Sequence, residues 1–485
     1  MSILQEIIAP VRGRNSVSEL WRRSASEMAR QVASGEVTSR ALVESHLARI
    51  EEVNPRINAV VRVLHEEALE AASDADRHRK EGLPLGPLHG VPFTIKECID
   101  VAGLPTTWGS PALAEAISPG DAPVVERLRA AGAIPLGRTN VPDFALRPST
   151  DSSLHGLTRN PWDYDRTAGG SSGGDAAALV SGMSPIGLGS DFGGSLRNPA
   201  NACGIVSVRP SVGRVPNAQH IPSPDQHISL QLMNVQGPMA RSVADVRLVL
   251  EALIGAHPLD PWSIDCPFVG KPVSSPIRVA VLSSPPGSPL DGAVADAVRC
   301  AADALSDAGY DVVEACPPRY EEAIATWGQL VVGDQRYGAE QLLPLLSRDA
   351  LRYFNFYTDA IPAFANSFEM SAAFQRRHSI ARDWSLFHDE HPIILGPTWT
   401  RLTPNHGYDI AGGDLQSLMS IIRPVVPASL LGLPSVCVPS GLDPGSGLPI
   451  GVLVGGRRFR EDMCLDAAAV IEAAAKVTTP IDPRF

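Results

Sequence analysis

Residues 169–195 read GGSSGGDAAALVSGMSPIGLGSDFGGS, two clusters of glycine and serine separated by an alanine-rich run and a short apolar run. We predict a helix over 175–182, a strand over 185–189 and a tight turn at each glycine cluster. A turn, a helix, a strand and a second turn make up part of an α/β fold. The stretch therefore predicts a sheet packed against helices, with several hydroxyl groups carried on its turns.

The rest of the chain repeats this alternation. Further strands are predicted at 91–95, 133–137 and 277–282, and helices around 124–131 and 293–308. Strands that alternate with helices favour an α/β core that has helices on both faces of the sheet. We therefore predict the α/β class for the whole chain.

The first part of the chain, residues 16–80, is predicted to be helical. Ser26 is a candidate N-cap of the first helix, and Gly35 follows its end. Thr38 opens a second helix, which we expect Asn54-Pro55 to close, and a third, charged segment runs from 66 to 80.

Composition limits the class of protein and its partners. The chain has 485 residues, is 44% hydrophobic and 19% charged, and carries a net charge of −12, which argues against nucleic-acid and anionic-membrane partners. No apolar run is long enough to span a bilayer, and residues 1–6 lack the features of a signal peptide. The seven cysteines are scattered, so we expect reduced thiols, no structural zinc and a cytoplasmic location.

One lysine and two serines provide the groups for nucleophilic catalysis. Lys96 follows the apolar run 91–95, and burial lowers the pKa of a lysine so that it can act as a base. Ser195 is the candidate nucleophile, since a hydroxyl needs such a base nearby. Ser171, in the other glycine cluster, could pass the proton between Ser195 and Lys96. The alternative interpretation of Lys96 alone is a surface lysine at a strand end.

The glycines before Ser195 point to a second element of the same chemistry. Without a Cβ, the backbone of Phe192, Gly193 and Gly194 can turn successive N–H groups toward one point. Such a cluster of donors would stabilise an oxyanion.

Three other interpretations of these motifs are weaker. A phosphate-binding loop would need Gly-Lys-Ser/Thr, and the kinase-like Asp191-Phe192-Gly193 has no accompanying catalytic loop. The 169–173 cluster also matches the nucleophile elbow of serine hydrolases, which would require a downstream histidine. The candidates for that histidine are His388, His391 and His406, and we expect each to be an ordinary loop residue.

Several separated motifs, taken together and in order, resemble the amidase signature family along nearly the whole chain. They are residues 88–97 (LHGVPFTIKE), 169–178, 189–200 (GSDFGGSLRNPA), 237–245 (GPMARSVAD), 431–435 and 447–451.

The resemblance implies a fold and a set of site residues. The fold would be a mixed β-sheet sandwiched by helices, a single domain over 1–485 with an N-terminal helical segment over 1–85 and a variable insert over 260–400 that shapes the substrate pocket. The catalytic residues would form a Ser–cis-Ser–Lys triad, without a metal or another cofactor. By motif they are Ser195 as nucleophile, Ser171 on a cis peptide as the bridge, and Lys96 as base, supported by Ser172 and by Asp191 with Arg197.

The chain departs from the family pattern at three places. Phe192 stands where threonine is usual, Asp175 stands where a small residue or glutamate is common, and residues 208–211 read VRPS in place of Leu-Lys-Pro-Thr. A backbone N–H does not depend on its side chain, so we expect the oxyanion hole to survive. The change at 192 bears on substrate identity.

We therefore expect a hydrolase of amide-like bonds that works through a seryl acyl-enzyme. The alternatives are the glutamine-cleaving subunit of a tRNA-dependent amidotransferase and a catalytically inactive binding protein of the same fold. The expected partner is a small-molecule amide or carbamate, and a homodimer is left open.

An aromatic-rich segment inclines the substrate toward aryl amides or carbamates. Residues 353–399 hold ten of the chain's 26 aromatic residues. They form either the ordinary core of a helical insert or a wall over an apolar pocket. This segment and the loop at 216–224 are our candidates for substrate specificity.

Overall fold

The computed structural model describes residues 17–411 and 415–484, and its centre is an eleven-stranded sheet. The strands, numbered along the chain, are β1 (Val60–Val63), β2 (Pro92–Lys96), β3 (Ile134–Thr139), β4 (Ile186–Asp191), β5 (Val206–Arg209), β6 (Val235–Ala240), β7 (Arg278–Val281), β8 (Asp311–Glu314), β9 (Ile393–Pro397), β10 (Ser435–Leu442) and β11 (Pro449–Gly456). Their order across the sheet is β1-β3-β2-β4-β6-β5-β10-β11-β9-β7-β8.

The described helices are α1 (Ala25–Ser34), α2 (Ser39–Ile57), α3 (His65–Lys80), α4 (Pro123–Ala130), α5 (Gly173–Val180), α6 (Arg197–Cys203), α7 (Ile228–Met233), α8 (Val243–Leu253), α9 (Gly292–Asp307), α10 (Tyr320–Tyr337), α11 (Ala339–Leu342), α12 (Arg348–Ala360), α13 (Ser367–Glu390), α14 (Leu415–Ile422), α15 (Val426–Leu431) and α16 (Glu461–Ala475). None of these helices is both long and apolar enough to cross a bilayer.

The predicted mixed sheet between helices is confirmed. β2 runs parallel to both β3 and β4, whereas β6 is antiparallel to both of its neighbours. Successive residues of β6, Met239 and Ala240, belong to two different hydrophobic clusters. Because successive side chains of a strand point to opposite faces, these two clusters cover the two faces of the sheet.

Two details of the N-terminal segment were predicted wrongly. The N-cap of α1 is Ser24, not Ser26, because Ser24 forms a capping box with Glu27. The hydroxyl of Ser26 is used elsewhere, since it donates to Asp245 at 2.6 Å. The capping box with Glu27 thus makes Ser24, and not Ser26, the N-cap of α1.

The second helix also ends later than predicted. α2 continues through Pro55 to Ile57 and is capped by Asn58 in the left-handed conformation. The side chain of Asn54 accepts hydrogen bonds from the N–H groups of Ala59 and Val60, which turns the chain directly into β1. This strand lies within the segment over 1–85 that was predicted to be helical.

The segment over 260–400 contributes three strands to the main sheet. Its strands β7, β8 and β9 form one edge, and β9 pairs with β11. Its helices α10, α12 and α13 carry most of the buried aromatic residues of a third hydrophobic cluster, which also packs against Phe192.

Candidate active site

Lys96 is the central residue of the candidate site because its side chain is fully buried. Of the chain's four lysines, the other three are exposed, whereas Lys96 has 0% exposed surface. Its Nζ donates to the hydroxyls of Ser171 at 2.7 Å and Ser190 at 2.9 Å. Burial lowers the pKa of Lys96 below the ordinary lysine value, against the opposing effects of Cys98, Asp175 and Asp191. Burial therefore shifts Lys96 toward its neutral form.

Two glycines of β4 let the start of α5 approach Lys96. A Cβ at Gly189 would lie 2.8 Å from the Ser172 hydroxyl, and one at Gly187 would lie 3.2 Å from the Cβ of Asp175. β4 is the neighbour of β2, which ends at Lys96. The bare backbone at 187 and 189 thus makes room for α5 beside the amine.

Ser171 sits in a turn that is held from both sides. The peptide bond between Gly170 and Ser171 is cis, as the resemblance led us to expect. The Thr150 hydroxyl donates to the carbonyl of Gly169 at 2.8 Å and accepts from the N–H of Gly173 at 3.1 Å. The Ser171 side chain is therefore presented to Lys96 by a fixed backbone.

Ser195 lies next to this turn and is more accessible than Ser171. It is half-buried, and its carbonyl accepts a hydrogen bond from the N–H of Ser172 at 3.2 Å. The preceding Gly194 has a φ of +108°, a backbone region that L side chains rarely adopt. A Cβ there would also meet Val425 at 2.6 Å, so glycine is required on two grounds.

One of the three predicted oxyanion donors is already used. The N–H of Gly194 donates to the carboxylate of Asp191 at 3.0 Å, so it does not point into open space. The N–H groups of Phe192 and Gly193 make no hydrogen bond to another group in residues 17–411 and 415–484. Of the predicted set, these two remain as donors, together with the N–H of Ser195.

Asp191 braces the Ser195 turn through charge. Arg197 holds its carboxylate with two hydrogen bonds of 2.9 and 2.8 Å, and Arg209 adds a third at 3.1 Å. Burial alone would raise the pKa of Asp191, but the two guanidinium groups outweigh it and hold that pKa below its ordinary value. The pairing of Asp191 with Arg197 matches the sequence prediction. The role of Arg209 was missed, since residues 208–211 were noted only as a departure.

We predict that Asp191→Ala destabilises the fold by about 3–5 kcal/mol, because it leaves two buried arginines without a counter-charge. It also removes the acceptor of the Gly194 and Leu196 N–H groups. Thermal and urea unfolding will measure the loss. The matched control is Asp311→Ala, which breaks the exposed pair with Arg278 and should cost at most about 1 kcal/mol. Equal losses in the two variants would contradict the bracing role.

Ser190 is a site residue that the sequence analysis did not single out. It is the second acceptor of the Lys96 amine, and its hydroxyl lies 3.7 Å from the thiol of Cys98. The sequence did contain a clue to Ser190, since this residue follows a predicted strand and directly precedes Asp191 in the motif over 189–200. A buried lysine has more than one N–H donor in either protonation state, so it needs more than one acceptor.

The histidines required by the nucleophile-elbow alternative have other neighbours. The Nδ1 of His388 lies 3.1 Å from the carbonyl of His391, and the Nε2 of His406 lies 3.0 Å from the carbonyl of Tyr164. The group bound to the Ser171 hydroxyl is instead the amine of Lys96. Within the described residues, the basic side chain hydrogen-bonded to Ser171 is therefore a lysine and none of these histidines.

Comparison with known proteins agrees with this geometry. The amidase family model matches residues 41–465, which is most of the chain. This chain belongs to the amidase family. An indoleacetamide hydrolase of Bradyrhizobium diazoefficiens is 42% identical over 464 residues, covering 94% of this chain and 87% of that protein. A glutamyl-tRNA(Gln) amidotransferase subunit of Synechococcus sp. (strain WH7803) is 34% identical over 93% of this chain and 97% of its own length.

A solved structure extends the likeness to three dimensions. A bacterial aryl acylamidase of the amidase signature family superposes with a TM-score of 0.78 at 27% identity, covering 93% of this chain and 96% of that one. The chain is thus an amidase-family enzyme, a hydrolase that acts on amides.

Aromatic side chains of this amidase reach the Ser195 turn. The ring of Phe192 packs against that of Trp327 with centroids 6.0 Å apart, and a Cβ at Gly193 would lie 2.8 Å from the Trp327 ring. Trp399 donates to the side chain of Asn198 at 2.8 Å. Most of the aromatic residues over 353–399 are buried or half-buried, but Phe368 is 83% exposed. The aromatic residues over 353–399 therefore belong mainly to the hydrophobic core, and Trp399 extends that core to Asn198, near Ser195.

The side chains gathered around Lys96 contribute the hydroxyls of Ser171 and Ser190. Within residues 17–411 and 415–484, no group of three or more His, Cys, Asp or Glu side chains has the arrangement of a metal site. All seven cysteines carry free thiols.

Proposed function

We propose that this amidase hydrolyses primary amides of arylacetic acids. In this proposal Ser195 is the nucleophile, Ser171 the bridging serine and Lys96 the base. The observation that carries the proposal is the amine of Lys96, which is fully buried and hydrogen-bonded to a serine in the turn beside Ser195. A dry amine with a lowered pKa has the property required of a general base.

The proposed reaction has two steps. The Ser195 hydroxyl attacks the amide carbonyl, while Ser171 takes its proton and passes its own to the neutral Lys96 amine. The N–H groups of Phe192, Gly193 and Ser195 stabilise the oxyanion, and Lys96 returns the proton through Ser171 to the departing ammonia. Water then attacks the acyl-enzyme by the same route, which releases the carboxylic acid and restores Ser195.

The relatives and the aromatic residues support an aryl substrate. The Bradyrhizobium relative is an indoleacetamide hydrolase, and the superposed structure is an aryl acylamidase. The pair of Phe192 and Trp327 provides apolar ring faces beside the Ser195 turn, on which an aromatic acyl group could pack. We propose that the segment over 260–400 shapes the pocket through Trp327.

The glutamine-cleaving subunit of an amidotransferase is the weaker alternative. The relative of that kind is 34% identical, against 42% for the indoleacetamide hydrolase. A glutamine side chain would need polar partners, whereas Phe192 presents a ring to this region. Carbamates would use the same chemical steps, so they belong in the test.

A substrate panel tests the proposal. Purified enzyme is assayed with indole-3-acetamide, acetanilide, a phenyl carbamate, acetamide and L-glutamine. We predict the highest kcat/KM for indole-3-acetamide. A preference for glutamine, or no turnover of any aryl amide, would overturn the proposed substrate class.

The same panel tests the role of Phe192. We predict that Phe192→Thr lowers kcat/KM for indole-3-acetamide by about 10- to 100-fold relative to acetamide, because a large apolar contact is lost while the backbone N–H stays. The matched control is Phe368→Thr, which makes the same substitution at an exposed phenylalanine of α13. An unchanged ratio of the two substrates in Phe192→Thr would show that Phe192 does not contact the acyl group.

We also place the enzyme in the cytoplasm. Seven free thiols, four of them buried, suit a reducing compartment.

A further inference from the structure

We propose that Asp175 is a positioning residue that sets the protonation of Lys96, an inference that rests on the proposed function. Asp175 is fully buried in the first turn of α5. The catalytic steps above do not use it. Its location at Thr139, the strand partner of Lys96, therefore needs an explanation of its own.

The carboxyl group of Asp175 is only half satisfied. Its Oδ1 accepts from the Thr139 hydroxyl at 2.8 Å, while its Oδ2 has no hydrogen-bond partner within the described residues. Thr139 of β3 is the residue that pairs with Lys96 of β2. The hydrogen bond to Thr139 therefore places the carboxyl of Asp175 at the strand partner of Lys96. A purely structural aspartate would be expected to have both oxygens bonded.

A glycine on the neighbouring strand leaves space for the Asp175 side chain. Gly187 on β4 faces it, since a Cβ at that position would lie 3.3 Å from Oδ1 and 3.2 Å from the Cβ of Asp175. With glycine there, α5 lies close enough to β4 for the carboxyl to reach the region between β2 and β3.

The charged groups around Asp175 come from several elements. β2 and the turn after it bring Lys96 and Cys98, and β3 brings Arg138, which also lies 3.7 Å from Glu97. β4 and α6 bring Asp191 and Arg197, which neutralise each other. β6 carries no ionisable side chain, and Arg62 of β1 is exposed. Lys96 is thus the buried basic group near Asp175 that, within the described residues, forms no ion pair with a carboxylate.

The carboxyl and the amine are expected to titrate as a pair. Burial raises the pKa of Asp175 to about 7, against the opposing effects of Thr139 and Lys96. An ionised Asp175 stabilises the ammonium form of Lys96, and a protonated Asp175 favours the neutral amine. Lys96 takes up a proton when Ser195 is acylated, so the carboxyl holds the amine basic enough for that step.

The sign of the effect follows from this coupling. Asp175→Asn keeps the shape and an acceptor for Thr139 but removes the negative charge, so the pKa of Lys96 falls further. We expect the acid limb of the pH–rate profile to move to lower pH by about one unit. The plateau rate should fall by about tenfold, because a weaker base takes up the proton less readily.

The experiment follows the second-order rate of Ser195 labelling by a fluorophosphonate between pH 5 and 10. In this reaction the serine oxygen forms a bond to phosphorus, fluoride leaves, and the serine proton passes to Lys96, so no amide substrate is needed. Wild type is compared with Asp175→Asn, and with Asp303→Asn as the matched control. Asp303 is an exposed residue of α9, and its change alters the net charge equally.

The outcomes separate this inference from the proposed function. Loss of labelling in Ser195→Ala, together with a shifted limb in Asp175→Asn alone, supports both. A wild type that is not labelled at Ser195 overturns the proposed function. Normal labelling with the same limb in wild type and Asp175→Asn overturns the role of Asp175. If Asp175→Asn fails to fold in thermal unfolding, Thr139→Val provides the test, since losing the donor raises the carboxyl pKa and should move the limb in the same direction.

Discussion

Replacing Ser195 with alanine is expected to lower kcat/KM for indole-3-acetamide by at least about 10⁴-fold, while the protein stays folded. The Ser195 side chain makes no hydrogen bond to another group in the described residues, so its removal leaves no buried partner unsatisfied. The backbone carbonyl that binds Ser172 is unchanged by the substitution. The loss should therefore be confined to the nucleophile, and losses of this size follow when a nucleophilic serine is removed.

The measurement is a steady-state assay with purified enzyme, paired with mass spectrometry of the acyl-enzyme after rapid quenching. Wild type should show a covalent adduct on the peptide that carries Ser195, and the variant should show none. Ser306→Ala is the matched control, because Ser306 is an exposed serine on α9. Substantial turnover by Ser195→Ala would mean that another group attacks the amide.

The sequence indicated several features of this candidate site, because each of them depends on local chemistry. An apolar run ending in Lys96 is compatible with a buried amine or with a surface lysine at a strand end, and the fully buried β2 shows that the amine is buried. Glycine clusters predict tight turns wherever they occur, and the structure has such turns before Ser171 and Ser195. The alternation of apolar runs and helical segments was enough to predict an α/β core with helices on both faces of the sheet, and the family resemblance added that the sheet would be mixed.

What the sequence left undetermined depends on contacts between distant segments. Ser26 and Ser24 are equally good caps by residue type, and the choice between them is made by Glu27 and by Asp245, which is over 200 residues away. Arg209 belongs to the Asp191 cluster only because β5 and β4 both flank β6. The commitment of the Gly194 N–H to Asp191 likewise depends on the final geometry of the turn.

The largest effect after Ser195 is expected at Lys96. Lys96→Met keeps the length of the side chain and removes the amine, so Ser171 has no base to which it can pass a proton. We expect kcat/KM to fall by about 10³- to 10⁴-fold, the range usual for loss of a general base. The matched control is Lys271→Met, which changes an exposed lysine and should leave activity unchanged.

The stability of the same variant tests the burial of the amine directly. The pKa of Lys96 is lower in the folded state than in the unfolded chain, so between those two values the unfolded chain binds more protons and wild-type stability rises with pH. Lys96→Met lacks this contribution. Its free energy of unfolding should therefore rise less steeply than that of wild type as the pH approaches the ordinary lysine pKa of 10.5. Identical slopes in urea unfolding at several pH values would show that the amine stays charged in the folded protein, and a charged amine could not accept the proton of Ser195.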